Sequence, residues 1–262
     1  MRKGWIIILA LIIVGLTGYF LVNKTKDVQG SKTKAITSEQ LLQKLEGIWI
    51  REEYISVLEK TKSPLMAIKE LSEVQINFVK NDDKNFEFCI IYNYHEGVSR
   101  EIEKLRPFKE GKFNIGLTGK YGSDQKEQYF LQVDSLENPS KMTFEYQRGK
   151  FNLIKIDERD EEDFVNKVVL SGKYRDQTGE IYVFEDNRIA RWLNESFKYR
   201  VGLDFVFGNH NDIWLVDDKD KNLDIYYTYE WKDNRLFVYR ASIPEGEAVV
   251  PEEEPFLILE RL

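Results

Sequence analysis

The chain of 262 residues is 42% hydrophobic and 13% aromatic, so it can bury either one large core or two ordinary ones. Its formal net charge of −7 is unevenly distributed, because residues 1–36 carry +5 and the remaining residues carry −12. Such an acidic body argues against nucleic acid as a partner. The single cysteine, Cys89, excludes an intramolecular disulfide and a cysteine-based zinc site, and two histidines are too few for a His-rich metal site. We therefore predict neither a metal nor a cofactor.

An uncharged apolar stretch lies near the N-terminus, at residues 5–22. As a helix it spans about 27 Å, close to the thickness of the hydrocarbon core of a bilayer. A cleaved secretory signal is the alternative, but the run is long for one and no A-x-A-like site closes it. The pattern predicts a single-pass membrane anchor. The short tail before it favours a cell-membrane protein whose body lies outside the cytoplasm.

Residues 1–36 are assigned to this anchor and a polar spacer, and residues 37–156 to a first module. Thr-Ser-Glu-Gln at 37–40 offers a capping box for a short helix before Gly47. A second helix is predicted to begin at Pro64, with Ser63 as its cap.

Most of this first module has residue patterns typical of β-strands. Residues 74–79 and 86–90 alternate between apolar and polar, and the turn-forming residues 81–85 lie between them, which predicts a β-hairpin. Glu52 and Glu53 could be offered as a catalytic pair. We read them as adjacent strand residues whose side chains point to opposite faces, so they cannot act together.

An acidic run follows at residues 157–163, with a net charge of −5 that would repel itself inside a sheet. We interpret residues 157–167 as a linker between two modules.

Eight strand-like segments follow within the second module, residues 168–262. They fall at about residues 172–176, 180–185, 188–193, 197–207, 213–217, 223–231, 235–242 and 256–262. Asp186-Asn187 and Asp233-Asn234 supply residues that tolerate positive φ at two hairpin turns. The sequence therefore predicts a mainly β protein with two antiparallel up-and-down β-barrels after an N-terminal transmembrane helix. A single larger β structure is the alternative.

The motif Gly47-Ile48-Trp49 after a short helix resembles the opening of a lipocalin-like (calycin) barrel. The resemblance implies that Trp49 plugs the closed end of the first barrel and that a basic residue late in the last strand, here Lys155, packs across it. The second module begins with Gly172-Lys173-Tyr174, a weaker match to the same motif with tyrosine in place of tryptophan, and it ends with Arg261. The resemblance implies that Arg261 covers Tyr174 by a cation–π contact. The similarity covers only the starts and ends of the two modules.

Two further patterns have competing interpretations. Asp218, Asp220 and Asn222 have the spacing with which a calcium loop begins, but Leu223 replaces its glycine and Tyr229 its bidentate glutamate, which favours a solvated turn. His95 and His210 have no serine or cysteine nucleophile in a recognisable setting, so we predict no catalytic residues.

One strand has a possible binding face. In residues 225–231 the side chains of Tyr227, Tyr229 and Trp231 alternate onto one side, where they could line an apolar pocket or a sugar-binding surface. Burial in the core of a twisted sheet is the alternative.

The resulting hypothesis is a membrane-anchored, extracytoplasmic bacterial protein, not an enzyme, that binds a small apolar ligand inside a lipocalin-like barrel. The alternative is a structural or protein-interaction module at the cell envelope. Cavity volume discriminates between them, because an eight-stranded barrel either fills with side chains or holds one small ligand.

Overall fold

Antiparallel strands are the main regular structure of the chain after residue 35. The computed structural model describes residues 36–69, 71, 73–81, 85–92, 96–117, 128–192, 195–203, 205, 209–216, 225–243 and 249–262. The predicted membrane anchor at residues 5–22 lies outside these ranges, as do His95 and the calcium-like segment 218–222. Within the described ranges, no helix combines the length and the apolar character needed to cross a bilayer.

Eight strands close into a first antiparallel barrel in chain order, because β1 pairs with both β2 and β8. The strands are β1 Gly47–Arg51, β2 Gln75–Lys80, β3 Phe86–Ile91, β4 Gly97–Pro107, β5 Phe113–Leu117, β6 Phe130–Val133, β7 Lys141–Tyr146 and β8 Gly149–Lys155. The predicted hairpin is confirmed as β2 and β3, in which Phe78 lies opposite Phe88.

The second module forms another closed barrel. Its strands are β9 Gly172–Arg175, β10 Ile181–Phe184, β11 Ile189–Trp192, β12 Glu195–Val201, β13 Asn211–Val216, β14 Ile225–Lys232, β15 Arg235–Ser242 and β17 Leu257–Arg261, with a short β16 at Val250–Pro251 beside β15. Strand β17 lies between β15 and β9, and the β14–β15 pairing completes the ring. Two closed eight-stranded antiparallel barrels fit a calycin-like fold, which confirms the predicted fold class for the described residues.

The described residues of the first half of the chain include three α-helices, α1 Ser38–Leu45, α2 Glu52–Thr61 and α3 Pro64–Lys69, and a short 3-10 turn at Lys109–Gly111. Helices α1 and α3 were predicted, and Ser63 Oγ accepts a hydrogen bond from Met66 N at 3.1 Å as the cap of α3. Helix α2 was not predicted. Glu52 and Glu53 form its first turn, so the expectation that they lie on a strand is wrong; carboxylates there are favoured by the positive end of the helix dipole.

The acidic run between the barrels also forms a helix, α4 Glu161–Val169. The side chain of Asp160 caps it by accepting from Asp163 N at 2.7 Å. Repulsion among the carboxylates is offset by Arg188, whose guanidinium nitrogens lie 2.6 Å from Glu162 and 2.8 Å from Asp163. Much of the segment interpreted as a linker is therefore a packed helix.

Helices α2 and α3 belong to the first half of the sequence but pack on the second barrel. Tyr54 and Leu58 of α2 are fully buried in one hydrophobic cluster with inward side chains of the second barrel, among them Tyr174. Asn211 at the start of β13 fixes the turn between the helices, because its Oδ1 accepts from Ser63 Oγ at 2.8 Å and from Leu65 N at 3.1 Å. Residues 38–262 therefore form one compact unit.

The first strands of the two barrels carry the same aromatic contact. In the first, Trp49 is fully buried and its Nε1 donates to the Leu45 carbonyl at 2.7 Å. In the second, Tyr174 is fully buried and its hydroxyl donates to the Leu170 carbonyl. In both cases the acceptor lies four residues earlier, at the end of the preceding helical segment. The aromatic ring therefore ties that segment to the first strand of its barrel.

In each barrel, a basic residue from the last strand packs against the glycine that begins the first strand. Lys155 Nζ lies 5.6 Å from the centroid of the Trp49 ring, and a Cβ on Gly47 would come within 3.1 Å of the Lys155 side chain. Arg261 Nη2 donates to the Ser171 carbonyl at 2.7 Å, and its Nε lies 3.2 Å from the Cβ position of Gly172. These glycines have φ of +124° and +152°, so a side chain there meets both steric and backbone strain.

Candidate functional site: a groove at one end of the second barrel

The interior of the first barrel is occupied by aromatic side chains. Phe88 is fully buried, and its ring centroid lies 5.1 Å from that of Tyr129 and 5.7 Å from that of Phe144. The gap beside Glu73 and Tyr146 has a volume of about 0 Å³, so it is too small for a ligand, whereas a typical small-molecule pocket has ~300 Å³. The described residues thus fill this barrel instead of shaping a ligand cavity.

Inward side chains also pack the second barrel. The Tyr227 ring lies 5.6 Å from that of Trp192 and 5.9 Å from that of Phe256. Tyr174, Phe184 and Tyr199 form a further series of edge contacts at 5.5 to 5.6 Å. Tyr227, one of the three predicted binding residues, is therefore part of the core.

A groove of about 1350 Å³ lies at the end of this barrel, where four parts of the chain meet. Its walls are the α2–α3 turn with α3, the start of β13, the β14–β15 hairpin and the end of β17. Tyr229 and Trp231 line it, and so does Arg261. Alternation along β14 places both aromatic residues on the inner side, and docking of α2 and α3 supplies the opposite wall.

Two hydrogen-bond donors of the groove lack an acceptor. Tyr229 is 3% exposed, and burial raises the pKa of its hydroxyl well above the usual range. Among the described residues, neither Tyr229 Oη nor Trp231 Nε1 has a hydrogen-bond partner. A buried donor left in this state costs about 1–3 kcal/mol, and because each atom exposes less than 1 Å², a molecule in the groove does not reach either donor.

The groove also contains basic side chains. Lys62 follows α2 with a left-handed backbone, φ +54°. Burial, and then the charge of Arg261, lower the pKa of Lys62 despite the opposing effect of Glu59. Arg261 in turn restrains the rise that burial causes in the pKa of Tyr174, which reaches about 12. Positive charge and aromatic donors therefore meet at one end of the groove.

The other candidates from the sequence lie apart from any catalytic arrangement. His210 is on the groove wall. Glu52 pairs with Lys141 at 3.3 Å and Glu53 with Arg51 at 3.4 Å. In the part of the chain that the structure describes, no three His, Cys, Asp or Glu side chains are placed to hold a metal ion.

The two-residue period of β14 predicted that Tyr229 and Trp231 share a face, and both line the groove. Ser63 was predicted only as the cap of α3. Its contact with Asn211, and the position of Lys62 beside them, had no signal in the sequence, because these residues come together only when α2 and α3 dock on the second barrel.

No family model matches the chain, and no curated protein matches it. A solved structure similar to the chain is that of a protein with unknown function from the DUF3598 family of Nostoc punctiforme. The similarity covers 87% of this chain and 100% of that one, at 11% sequence identity and a TM-score of 0.25. A likeness at this level supports no conclusion about fold or function.

Proposed function

We propose that the protein is a non-enzymatic, membrane-tethered binding protein whose small-molecule site is the groove at the end of the second barrel. The observation that carries this proposal is a groove of about 1350 Å³ with the partly exposed ring of Trp231 on its wall. Small-molecule sites combine a concave surface, aromatic side chains and a few polar groups that fix orientation.

The groove suits a polar ligand better than the apolar one expected from the calycin resemblance. Aromatic rings occupy the first barrel, and Tyr227 packs among rings in the second. The groove is instead bordered by lysine, arginine and glutamate side chains beside its aromatic donors. A ligand with both a flat apolar face and acceptor atoms, such as a sugar or a substituted aromatic ring, matches this lining.

Removing the aromatic ring on the groove wall tests the proposal. We expect Trp231→Ala to retain a co-purifying small molecule about tenfold less well than the natural protein, because an aromatic ring packed on a ligand contributes about 1.5 kcal/mol. Native mass spectrometry of full-length protein from its own cells, before and after denaturation, measures the bound mass.

The matched control is Trp214→Ala. The Trp214 ring contacts that of Tyr226 at 5.5 Å and does not line the groove. The control is expected to retain the bound molecule. Equal retention by both variants would place the site elsewhere, and no bound species in the natural protein would count against a binding function.

The membrane part of the proposal rests on residues 5–22, whose length and lack of charge suit a bilayer span. We expect the full chain to pellet with membranes, to resist alkaline wash and to be released by detergent. A chain of residues 36–262 should stay in the supernatant, since its net charge of −12 is repelled by anionic lipid. If residues 36–262 still pelleted, residues 5–22 would not be the sole tether.

A further inference from the structure

The chain segment that leads to the proposed membrane anchor joins the body at one end of the first barrel. Helix α1 begins at Ser38, whose Oγ accepts a hydrogen bond at 2.7 Å from Leu105 N, near the end of β4. At ~3.3–3.6 Å per residue, residues 23–37 can span at most ~50 Å. This end of the first barrel is therefore tied to within that distance of a bilayer that holds residues 5–22.

The β4–β5 hairpin, residues 104–113, lies at this end and exposes an aromatic ring. Phe108 is 50% exposed, and its ring centroid lies 4.8 Å from that of Phe130. Strands alternate in direction around the barrel, so the β6–β7 connection lies at the same end, and its Leu136 is 42% exposed. Gln132 Nε2 joins β6 to the hairpin by donating to the Glu110 carbonyl at 3.3 Å. Two linked parts of this end therefore present apolar side chains to solvent.

The hairpin is basic, in contrast to the rest of the body. Residues 104–112 have a net charge of +3, since they contain Lys104, Arg106, Lys109, Lys112 and Glu110. Glu103 pairs with Arg106 at 3.1 Å and Glu145 pairs with Lys112 at 2.7 Å, and counting both carboxylates leaves +1. The rest of residues 36–262 carries −13. An anionic bilayer therefore attracts the hairpin and repels the remainder of the body.

The other charged groups at this end do not reverse that contrast. Residues 38–46 and residues 134–141 each carry a net charge of −1. Within the second of these segments, the carboxylate of Asp134 accepts hydrogen bonds from three backbone N–H groups of its own loop. This end of the barrel is therefore close to neutral within a body of −12, so an anionic surface repels it less than an average face of the body.

We propose that the β4–β5 hairpin is a membrane-contact element that places Phe108 at the headgroup level of an anionic bilayer, with Arg106 and Lys109 beside lipid phosphates. This inference rests on the tether of the proposed function. Aromatic and aliphatic side chains flanked by cations suit this interface. Tethering makes the contact intramolecular and so raises its effective concentration. A chain of residues 36–262 lacks that gain and stays in solution, whereas in the full chain the hairpin fixes which end of the body faces the membrane.

A fluorescent label next to the hairpin measures this contact. Cys89→Ser removes the single cysteine, and an environment-sensitive dye is then attached to Leu136→Cys or, in a separate chain, to Ile181→Cys. Ile181 is the matched position, because it is 48% exposed and lies on β10 of the second barrel. The labelled full chain is reconstituted in vesicles of phosphatidylglycerol and phosphatidylcholine that carry a quencher near the headgroups. We expect strong quenching at position 136, weak quenching at position 181, and a weaker difference in pure phosphatidylcholine.

Variants of the hairpin test whether its side chains cause the quenching at position 136. Lys109→Gln is expected to shift the contact equilibrium about fivefold away from the membrane, which corresponds to ~1 kcal/mol for one cation. Adding Phe108→Ser is expected to raise the shift to at least about tenfold, since an apolar side chain is lost as well. The control Ile181→Ser, Lys173→Gln removes an exposed apolar side chain and an exposed cation from the second barrel, and it should leave the quenching unchanged.

The outcomes separate this inference from the tether. A full chain that does not float with the vesicles contradicts the tether, and the inference with it. A chain that floats but is quenched equally at positions 136 and 181 overturns the inference alone. Quenching that persists in the Phe108→Ser, Lys109→Gln variant also overturns it. A dye shift in detergent that grows with protein concentration would show that a second copy of the chain covers this end, which contradicts contact with lipid.

Discussion

Replacing Asp212 with asparagine is expected to stabilise the protein by about 4 kcal/mol above pH 7 and to remove most of the fall in stability between pH 4 and pH 7. Asp212 is 4% exposed, and burial raises the pKa of its carboxyl from 3.8 to about 7. Among the described residues, its Oδ1 has no hydrogen-bond partner. The difference between the folded and unfolded pKa values converts to about 4 kcal/mol at 1.36 kcal/mol per unit.

The direction of this change in stability with pH follows from which state binds the Asp212 proton. Between pH 4 and pH 7 the folded protein keeps the Asp212 proton while the unfolded chain has lost it, so stability falls as pH rises. Below pH 4 both states are protonated, and above pH 7 the buried charge carries its full penalty. Asparagine stays neutral throughout. Denaturant unfolding of the full chain in detergent at pH 4, 6 and 8 measures the effect.

Asp134 is the control because hydrogen bonds there together outweigh burial, which is the largest single influence and raises the pKa. Its carboxylate accepts from Ser135 N and Ser140 N at 3.0 Å and from Lys141 N at 3.1 Å, and these hydrogen bonds lower its pKa to about 2. Asp134→Asn should therefore destabilise the protein at neutral pH, the opposite of Asp212→Asn. If both variants were destabilised equally at pH 8, the buried charge of Asp212 would not be the cause.

Arg188→Gln is expected to lower the free energy of unfolding by about 3 kcal/mol. Its guanidinium lies 2.6 Å from Glu162, 2.8 Å from Asp163 and 3.2 Å from Asp160, and the Arg188 side chain is 15% exposed. Removing the shared cation leaves neighbouring carboxylates of α4 to repel one another, which in partly buried networks costs ~3–5 kcal/mol. Solvent reaches Asp160, so the lower end of that range applies.

Arg191→Gln is the matched control for this prediction. Arg191 pairs with Glu185 at 2.6 Å, but its side chain is 63% exposed, and such surface pairs are worth ~0.2–1 kcal/mol. Chemical denaturation of the full chain compares the two. Equal, small effects would show that the acidic helix does not depend on Arg188.

The regular parts of the fold were accessible from the sequence because their signals are local. Alternation of apolar residues and turn-forming Asp-Asn pairs predicted all eight strands of the second barrel, and Asp233 and Asn234 do adopt φ of +49° and +60°. At the other turn the residue with positive φ is Arg188, at +64°, instead of Asn187. Arg188 also forms ion pairs with α4, which no local sequence pattern predicts.

The two helices that sequence reasoning missed depend on distant partners. From the sequence alone, the carboxylates of the acidic run are expected to repel one another. In the fold, Arg188 and Arg200 of the second barrel form ion pairs with it. The start of helix α2 was interpreted as a continuation of strand β1. The apolar side of the helix, with Tyr54 and Leu58, is buried against the second barrel, a partner distant in the sequence. The groove has the same origin: β14 supplies its aromatic residues locally, and tertiary packing supplies the opposite wall.

A crystal structure of full-length protein, purified in mild detergent from its own cells, tests the binding groove most directly. We predict density for a molecule in the groove, with atoms within ~4 Å of the exposed part of the Trp231 ring. Density inside the first barrel among Phe88, Tyr129 and Phe144, with only water in the groove, would contradict it.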